Sequence, residues 1–339
     1  MNSSEQIKTF ILDNLSSHQR DIIQEAITRF GISRQAVHKH MNRLIDNKMV
    51  IAHGTTRGRY YKLNPLVNFT KAINIDENYS TEKFLNKNIL PHFSTLAKNV
   101  FEIFNFSSRA LISNVIYHSM ASKFYIKIYI IHSEAHFIIS DNGIGIFKNI
   151  QSGLNLHNAQ LAVLELAKGN HITTDSDKHS GDELNAIIQL FDKVMIDSSG
   201  LSLEFTNENQ NWRLNQSVHK KGTKVHLIIN PSSNRTCAQV FNRIFNQDQK
   251  NVRIPLNLLE VSKYKIVNSR NYAKSVLRNI YGYKKIEFDF NNIDLIGPAF
   301  ADELIRNAVR KNQQADIKWI NTNETVDLLL SRALNRIAN

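Results

Sequence analysis

The sequence predicts a multidomain α+β protein, because the spacing of apolar residues changes twice along the 339 residues. A chain of this length is too long for one average domain. Helical spacing dominates the first 47 residues, alternating strand-like runs such as Phe124–Ile131 fill the middle, and strands and helices alternate after Val252. These patterns predict domains at 1–66, 84–232 and 252–339, with linkers at 67–83 and 233–251.

The net charge of +12 lies mainly at the two ends of the chain. Residues 1–70 carry 10 Lys/Arg against 5 Asp/Glu, and residues 236–339 carry 16 against 10, whereas residues 71–235 carry 16 against 15. Two basic ends predict a polyanionic partner for at least one of them.

Composition also predicts the cellular compartment. The single cysteine, Cys237, excludes an internal disulfide and is typical of a reducing cytoplasm. No apolar run reaches the roughly 18 residues that span a membrane. Met1–Leu15 lacks the apolar core of a secretory signal. We therefore expect a cytoplasmic protein with no membrane partner.

The N-terminal segment has the layout of a helix-turn-helix. Glu5–Leu15 and Asp21–Phe30 each place apolar residues on one face, and Gly31 breaks the second run. Ser33 is a good N-cap for a third helix that runs to about Asn47. One face of this third helix is polar and basic, and it comprises Arg34, Gln35, His38, Lys39, Asn42 and Arg43.

Two short strand-like runs follow, Met49–His53 and Tyr60–Leu63, around a turn that contains Arg57 and Arg59. They predict a hairpin wing. With Gly31–Val37, this segment resembles bacterial winged helix-turn-helix regulators, which implies a double-stranded DNA partner and usually a homodimer. The resemblance implies that Arg34 and Gln35 read base edges. Ser33 and His38 are also expected to contact DNA, and the phosphate-holding side chains are Lys39, Arg43, Arg57 and Arg59. The alternative is a small helical cap whose charged face is only solvated.

In the middle segment, the most informative motif is Ser140–Ile146, which reads Ser-Asp-Asn-Gly-Ile-Gly-Ile. It follows two strand-like runs, so it lies where a sheet ends in a loop. Asp141 can accept hydrogen bonds from an amine, and Gly143 and Gly145 let the backbone approach a flat ligand closely. A glycine-bearing loop without a ligand is the alternative.

A helix-like run, Ser108–Met120, precedes this motif, and Asn114 and His118 lie on one face of it. Residues 110–119 resemble the N-box of GHKL ATPases and kinases, and Asp141, Gly143 and Gly145 match their first glycine box. The resemblance implies a GHKL α/β sandwich, in which Asn114 holds Mg²⁺ on ATP and Asp141 binds the adenine amine. The remaining ATP-binding residues that it implies are His118, Lys168, Thr174, Gly181 and Thr223.

Two departures from that family concern the chemistry. Ala110 stands where hydrolysing members carry a glutamate general base, and a methyl group cannot take a proton. Gly181 matches the second glycine box, but Glu183 stands where its second glycine belongs and Asp182 adds another carboxylate. Extra carboxylates beside a triphosphate weaken its binding unless a metal ion compensates. The sequence therefore predicts no efficient ATPase and no catalytic residue.

The C-terminal segment alternates strands and helices, with Lys285–Phe290 and Ile317–Ile320 as strands. Pro298 suits the first turn of a helix that runs to about Asn312. The loop before it resembles that of STAS-like domains, which serve as switches in sigma-factor control and are phosphorylated on a serine there. Gly297, Pro298 and Ala299 offer no hydroxyl, so a docking or regulatory module is expected, with a sigma or anti-sigma type of protein partner.

The order of the three segments predicts a DNA-binding transcription regulator whose middle domain binds ATP, or once bound it, and modulates DNA or partner binding. One alternative is an ATP-dependent serine/threonine protein kinase of the anti-sigma type. The other is a degenerate scaffold that binds no nucleotide.

Overall fold

In the computed structural model, the N-terminal segment forms a separate unit of three helices and a two-stranded hairpin. The structure describes residues 3–75, 80–169, 182–245, 251–259, 266–280 and 282–338. The helices and strands of this unit are α1 (Ser3–Asn14), α2 (Ile22–Phe30), α3 (Arg34–Asp46), β1 (Val50–His53) and β2 (Tyr60–Leu63). Gly31 ends α2 with a left-handed φ of 62°, and Ser33 caps α3 by accepting the Ala36 N–H at 3.2 Å. The predicted helix ends and N-cap agree with these observations.

The helices of this unit bury their apolar stripes in a core of their own. Its fully buried residues include Ile11, Leu15, Ile22, Ala26, Val37 and Met41. Tyr61 and Leu63 close the core from the hairpin side. One buried member, Ile131, comes from the middle of the chain.

The middle segment forms a seven-stranded antiparallel sheet in the order β3-β4-β5-β9-β6-β7-β8. Its strands are β3 (Val67–Asn74), β4 (Lys123–Ile130), β5 (Ala135–Asp141), β6 (Lys193–Ser198), β7 (Leu201–Thr206), β8 (Asn211–Gln216) and β9 (Thr223–Ile229). Its helices are α4 (Thr81–Phe84), α5 (Lys98–His118), α6 (Ile146–Gly153), α7 (Ala159–Ala167), α8 (Asp182–Leu190) and α9 (Cys237–Phe245). Alternate residues of β4, β5, β6 and β9 are buried, as expected for strands that present one face to a core.

Both segments predicted to be linkers contain regular structure, so those boundaries are corrected. Within 67–83, β3 pairs with β4 from Val67 opposite Ile130 to Asn74 opposite Lys123. Within 233–251, α9 packs against α5 and α8. Composition did not reveal these elements, because β3 is an edge strand of mostly exposed or half-buried residues.

The C-terminal segment is an α/β layer with a parallel sheet in the order β10-β12-β14. Its elements are β10 (Asn251–Pro255), β11 (Ile266–Val267), α10 (Arg270–Val276), β12 (Lys285–Asp289), β13 (Leu295–Ile296), α11 (Pro298–Lys311), β14 (Asp316–Ile320) and α12 (Glu324–Ala338). Pro298 occupies the first turn of α11 as predicted. β11 pairs with β13 in a second, two-stranded parallel sheet.

The middle and C-terminal segments share one continuous hydrophobic core, unlike the N-terminal unit. Helix α7 packs against β10 and against the 3₁₀ turn Leu256–Leu259. Asn257 in that turn donates to the carbonyl of Trp212 on β8 at 2.7 Å. Among the described residues, no helix is long and apolar enough to cross a bilayer.

Candidate functional site

Asp141 is the last residue of β5, and the structure buries it at the end of the middle sheet, with 7% of its surface exposed. Its Oδ1 accepts the N–H of Gly143 at 2.8 Å, and its Oδ2 accepts the N–H of Thr223 at 3.3 Å. Burial raises the pKa of this carboxyl, and these two N–H groups oppose the rise without cancelling it. A buried carboxylate with acceptor capacity left is suited to binding an amine.

The backbone around Asp141 is packed too closely for side chains. A Cβ added to Gly222 would lie 2.0 Å from the carbonyl oxygen of Asp141, and Gly222 has a φ of +72°. A Cβ added to Gly143 would lie 2.0 Å from the carbonyl oxygen of Ser119, at the end of α5. Glycine at both positions therefore lets β5, β9 and α5 converge on one carboxylate.

Helix α6 begins inside the same cluster. The hydroxyl of Thr223 accepts the N–H of Ile146 at 2.9 Å, and Gly145 precedes that residue with a φ of 87°. Asn149 on α6 approaches the carbonyl of His118 at 3.4 Å. The structure thus brings together four predicted ligands: Asp141, Gly143, Gly145 and Thr223. His118 adjoins them at the end of α5, and Asn114, half-buried, lies one turn earlier on that helix.

Lys168 is not part of this cluster, which corrects its assignment as an ATP ligand. Its ammonium donates to Glu165 Oε1 at 2.7 Å and to the carbonyls of Ser275 and Arg278, at 3.3 and 3.2 Å. An ammonium has three N–H donors, and all three are used inside the protein. Burial lowers the pKa of Lys168, and the carboxylate of Glu165 opposes that shift. Lys168 therefore joins the middle segment to α10 instead of facing a ligand.

Asp182 and Glu183 occupy the segment that was predicted to hold phosphate. Two further predicted ligands, Thr174 and Gly181, lie outside the described residues. Asp182 and Glu183 form the first turn of α8, where negative side chains complement the helix dipole. Ala110 is buried in α5 with 5% of its surface exposed. Burial raises the pKa of the Tyr283 phenol, and Asp182 lies close enough that its charge, with that of Glu165, raises it further.

In the N-terminal unit, α3 presents its predicted polar face to solvent. Arg34, Gln35 and Lys39 are exposed, and so are Ser33 and Arg43, while His38 is half-buried. Within the described part of the chain, Arg34, Lys39 and Arg43 have no ion-pair partner. Cations that no carboxylate of the protein neutralises are available to phosphates.

The β1–β2 hairpin lies next to this helix. Burial lowers the pKa of His38, and the nearby charges of Arg34 and Arg59 lower it further. Arg34 of α3 and Arg59 of the hairpin therefore lie near the same imidazole. Arg59 also lies over the ring of Tyr61, 5.3 Å from its centroid. Arg57 is in the 3₁₀ turn Thr56–Gly58 between β1 and β2, and its side chain lies outside the described atoms.

Some residues of the Asp141 cluster were absent from the predicted ligand set. Gly222 holds the positive φ that brings Thr223 under Asp141, and Ser198 Oγ donates to the Gly222 carbonyl at 3.0 Å. The Ser119 carbonyl accepts the N–H of Ile144 at 2.9 Å. The dipeptide Gly222-Thr223 was a usable signal for the first of these. No sequence pattern points to Ser119 or Ser198, because their contacts with the cluster depend on how distant parts of the backbone come together.

Comparison with known proteins bears on the C-terminal segment alone. No curated protein matches the chain. Residues 272–327 match the family described as a STAS-like domain of unknown function (DUF4325). The match runs from α10 into α12 and confirms the predicted STAS-like character of that part of the chain.

Proposed function

We propose that this protein is a cytoplasmic DNA-binding transcription regulator. Its N-terminal unit would act as a winged helix-turn-helix, and its middle segment as a GHKL-type domain that binds ATP and modulates DNA or partner binding. The observation that carries the proposal is the exposed face of α3, where Arg34, Lys39 and Arg43 have no carboxylate partner among the described residues.

The layout of the N-terminal unit supports DNA recognition. A capped α3 follows a glycine turn, and the hairpin with Arg59 flanks it. The start of α3 carries Arg34 and Gln35, whose side chains suit guanine and adenine edges in the major groove. Lys39, Arg43 and Arg59 suit the phosphates on either side. A homodimer on paired half-sites is the usual arrangement for this class.

The Asp141 cluster supports a nucleotide site. Asp141 would accept the adenine amine, with Thr223 beside it, and Asn114 would hold Mg²⁺ when ATP is bound. Ala110 offers no base for water, so the proposed role is sensing and not hydrolysis. Ligand binding changes DNA affinity only if the ligand binds two states unequally, so ATP must favour one state of the N-terminal unit.

The DNA part is tested with a duplex recovered by selecting random sequences on the wild-type protein. We expect the double variant Arg34→Ala/Lys39→Ala to bind it at least about tenfold more weakly and to lower the salt slope by about 1 per lost phosphate contact. The matched control is Lys83→Ala/Lys87→Ala, which removes two exposed lysines from the middle segment. Equal binding by the two double variants would refute the role of α3.

The nucleotide part is tested by calorimetry with ATP and Mg²⁺. We expect Asp141→Asn to weaken binding, because the amide presents a donor where the adenine amine needs an acceptor. Ser140→Ala, on the opposite face of β5, is the control and should bind like the wild type. If the wild type shows no heat of binding and no ATP-dependent change in melting temperature, the remaining hypothesis is a scaffold that binds no nucleotide.

A protein kinase of the anti-sigma type is the second candidate, because phosphoryl transfer to a protein needs no water-activating base and Ala110 does not oppose it. The measurement is transfer of radiolabelled phosphate from ATP to sigma-type or anti-sigma-type partner proteins. Transfer that Asp141→Asn abolishes would establish the kinase, and its absence with tight ATP binding would favour the sensor.

A further inference from the structure

The C-terminal segment carries a second cationic surface, which we call the basic helical face. It consists of four side chains on two adjacent helices, α10 and α11: Arg270, Lys274, Arg306 and Arg310. Arg270 and Lys274 are one turn apart, and so are Arg306 and Arg310. All four are exposed, whereas Ala273, Val276, Phe300 and Leu304 point into the core.

Little negative charge opposes this face. The two helices contain two carboxylates, and Asp302 is paired across to Arg336 on α12 at 3.1 Å. Glu303 accepts from Arg306 at 2.8 Å and from Asn307 at 2.9 Å. Within the described residues, Arg270, Lys274 and Arg310 have no ion-pair partner. Three cations are therefore available to an outside anion.

The cations of the two helices belong to one surface. Burial alone would raise the pKa of Glu303. The hydrogen bonds from Asn307 and Arg306 and the charges of Arg306 and Lys274 outweigh burial, so the pKa is lowered overall. Lys274 of α10 is thus close enough to act on a carboxylate of α11. Lys274 and Arg306 therefore flank one carboxylate, and Arg270 and Arg310 extend the patch by one turn along their own helices.

The composition of the patch selects the kind of partner. Protein interfaces are anchored by buried aromatic and aliphatic side chains at their centre. No large apolar side chain of α10 or α11 is exposed; in the described part of this segment the exposed ones are Leu295 and, on the neighbouring α12, Leu328, Leu334 and Ile337. A cationic surface without an apolar anchor suits a partner that is recognised by charge, as a nucleic-acid backbone is.

We propose that the basic helical face binds the phosphate backbone of duplex DNA outside the segment that the N-terminal unit occupies. This inference rests on the proposed function for the presence of DNA. It assigns to the STAS-like segment a non-specific contact that adds affinity and leaves base discrimination to α3.

The test uses the full chain and fluorescein-labelled random-sequence duplexes of about 20 and about 60 bp. The variant is Arg270→Gln/Lys274→Gln/Arg310→Gln; Arg306 is kept, because Glu303 already neutralises it. On the longer duplex we expect the slope of log affinity against log salt to fall by about 2 to 3, at about 0.9 for each contact. On the shorter duplex the difference should largely disappear.

The control is Lys83→Gln/Lys87→Gln/Lys98→Gln, which removes the same charge from exposed positions of the middle segment. If both triple variants have the same slope, the basic helical face is only solvated and this inference falls alone. If the wild type binds no duplex, the proposed function falls as well. If labelled polyglutamate binds the wild type as tightly as DNA and loses affinity in the first variant, the partner is an acidic protein and the DNA assignment is overturned.

Discussion

The two ends of the chain are attached to the middle sheet in different ways. The N-terminal unit keeps its own core and meets the β4–β5 turn through Ile131 and through an exposed contact between His132 and Asp13 at 3.4 Å. The C-terminal segment continues the core of the middle segment and is held by Lys168, which pairs with Glu165 and donates to the carbonyls of Ser275 and Arg278.

This difference has a consequence for signalling. Units with separate cores unfold and move separately, whereas a shared core makes two segments one cooperative body. In the proposed regulator, the N-terminal unit is therefore the part free to respond, and the STAS-like segment moves with the Asp141 cluster. Arg278 strengthens this link, since its Nη1 donates to the carbonyl of Leu154 just after α6, at 2.7 Å.

The two junctions can be measured separately because both tryptophans, Trp212 and Trp319, lie in the middle and C-terminal body. Tryptophan fluorescence reports the unfolding of that body alone. Far-UV circular dichroism also includes helices α1, α2 and α3.

The largest effect is expected for Lys168→Met. Removing one partner of a buried ion pair leaves the other charge uncompensated, which costs about 3–5 kcal/mol. The denaturation midpoint measured by tryptophan fluorescence should fall, and Lys148→Met, on the exposed side of α6, should leave it unchanged. Glu165→Leu combined with Lys168→Met should recover most of the loss. A change below about 1 kcal/mol for the single variant would contradict a junction that depends on the buried ammonium of Lys168.

Ile131→Ala should affect the other junction. It empties a buried position in the N-terminal core, which costs about 2–4 kcal/mol. The circular dichroism signal should then show an early transition, while the fluorescence midpoint stays close to that of the wild type. Ile51→Ala, at an exposed position of the wing, is the control. Equal shifts in both signals would show that the N-terminal unit does not unfold separately.

Acid should weaken the sheet beside that same junction. His136 Nδ1 and His226 Nε2 are 3.0 Å apart, and burial, His136 and Lys224 lower the pKa of His226 from 6.5 to about 4. The unfolded chain then binds protons that the folded chain does not, so this stability is complete above pH 6.5 and is lost as the pH falls toward 4. The loss should be roughly 2 kcal/mol after allowance for partial exposure.

The measurement for this pair is the fluorescence midpoint in urea at several pH values. Removing the titrating imidazole with His226→Gln should flatten the profile between pH 6.5 and 4. His157→Gln, away from the pair, should retain the wild-type slope. A wild-type profile as flat as that of His226→Gln would contradict the lowered pKa.

The smallest effect is expected for Ser33→Ala, which removes the hydroxyl that caps α3. Loss of an N-cap costs about 1 kcal/mol. Only the circular dichroism transition should shift, and Ser33→Asn should restore it because asparagine is an equally good cap. A shift of the fluorescence transition would indicate that the N-terminal unit is coupled to the body more tightly than its separate core implies.

Local signals in the sequence located many of the elements correctly. Gly31, Ser33 and Pro298 determine helix ends through their own backbone or side-chain chemistry. The structure therefore begins or ends these helices where they were predicted. Strand β3 and helix α9 were missed. Each depends on a partner elsewhere in the chain, and the alternation of a half-buried edge strand is weak.

For the candidate site, the sequence alone determined which residue types were present. It predicted that Asp141 ends a strand and that Thr223 is a ligand, and it gave a methyl group at Ala110, which cannot take a proton. The tertiary structure decided which of them meet. It joined Asp141 to Thr223 across 82 positions of sequence, and it turned Lys168 toward α10. A carboxylate or ammonium carries its chemistry in its own atoms, but the donor or acceptor that satisfies it depends on burial, which the fold sets.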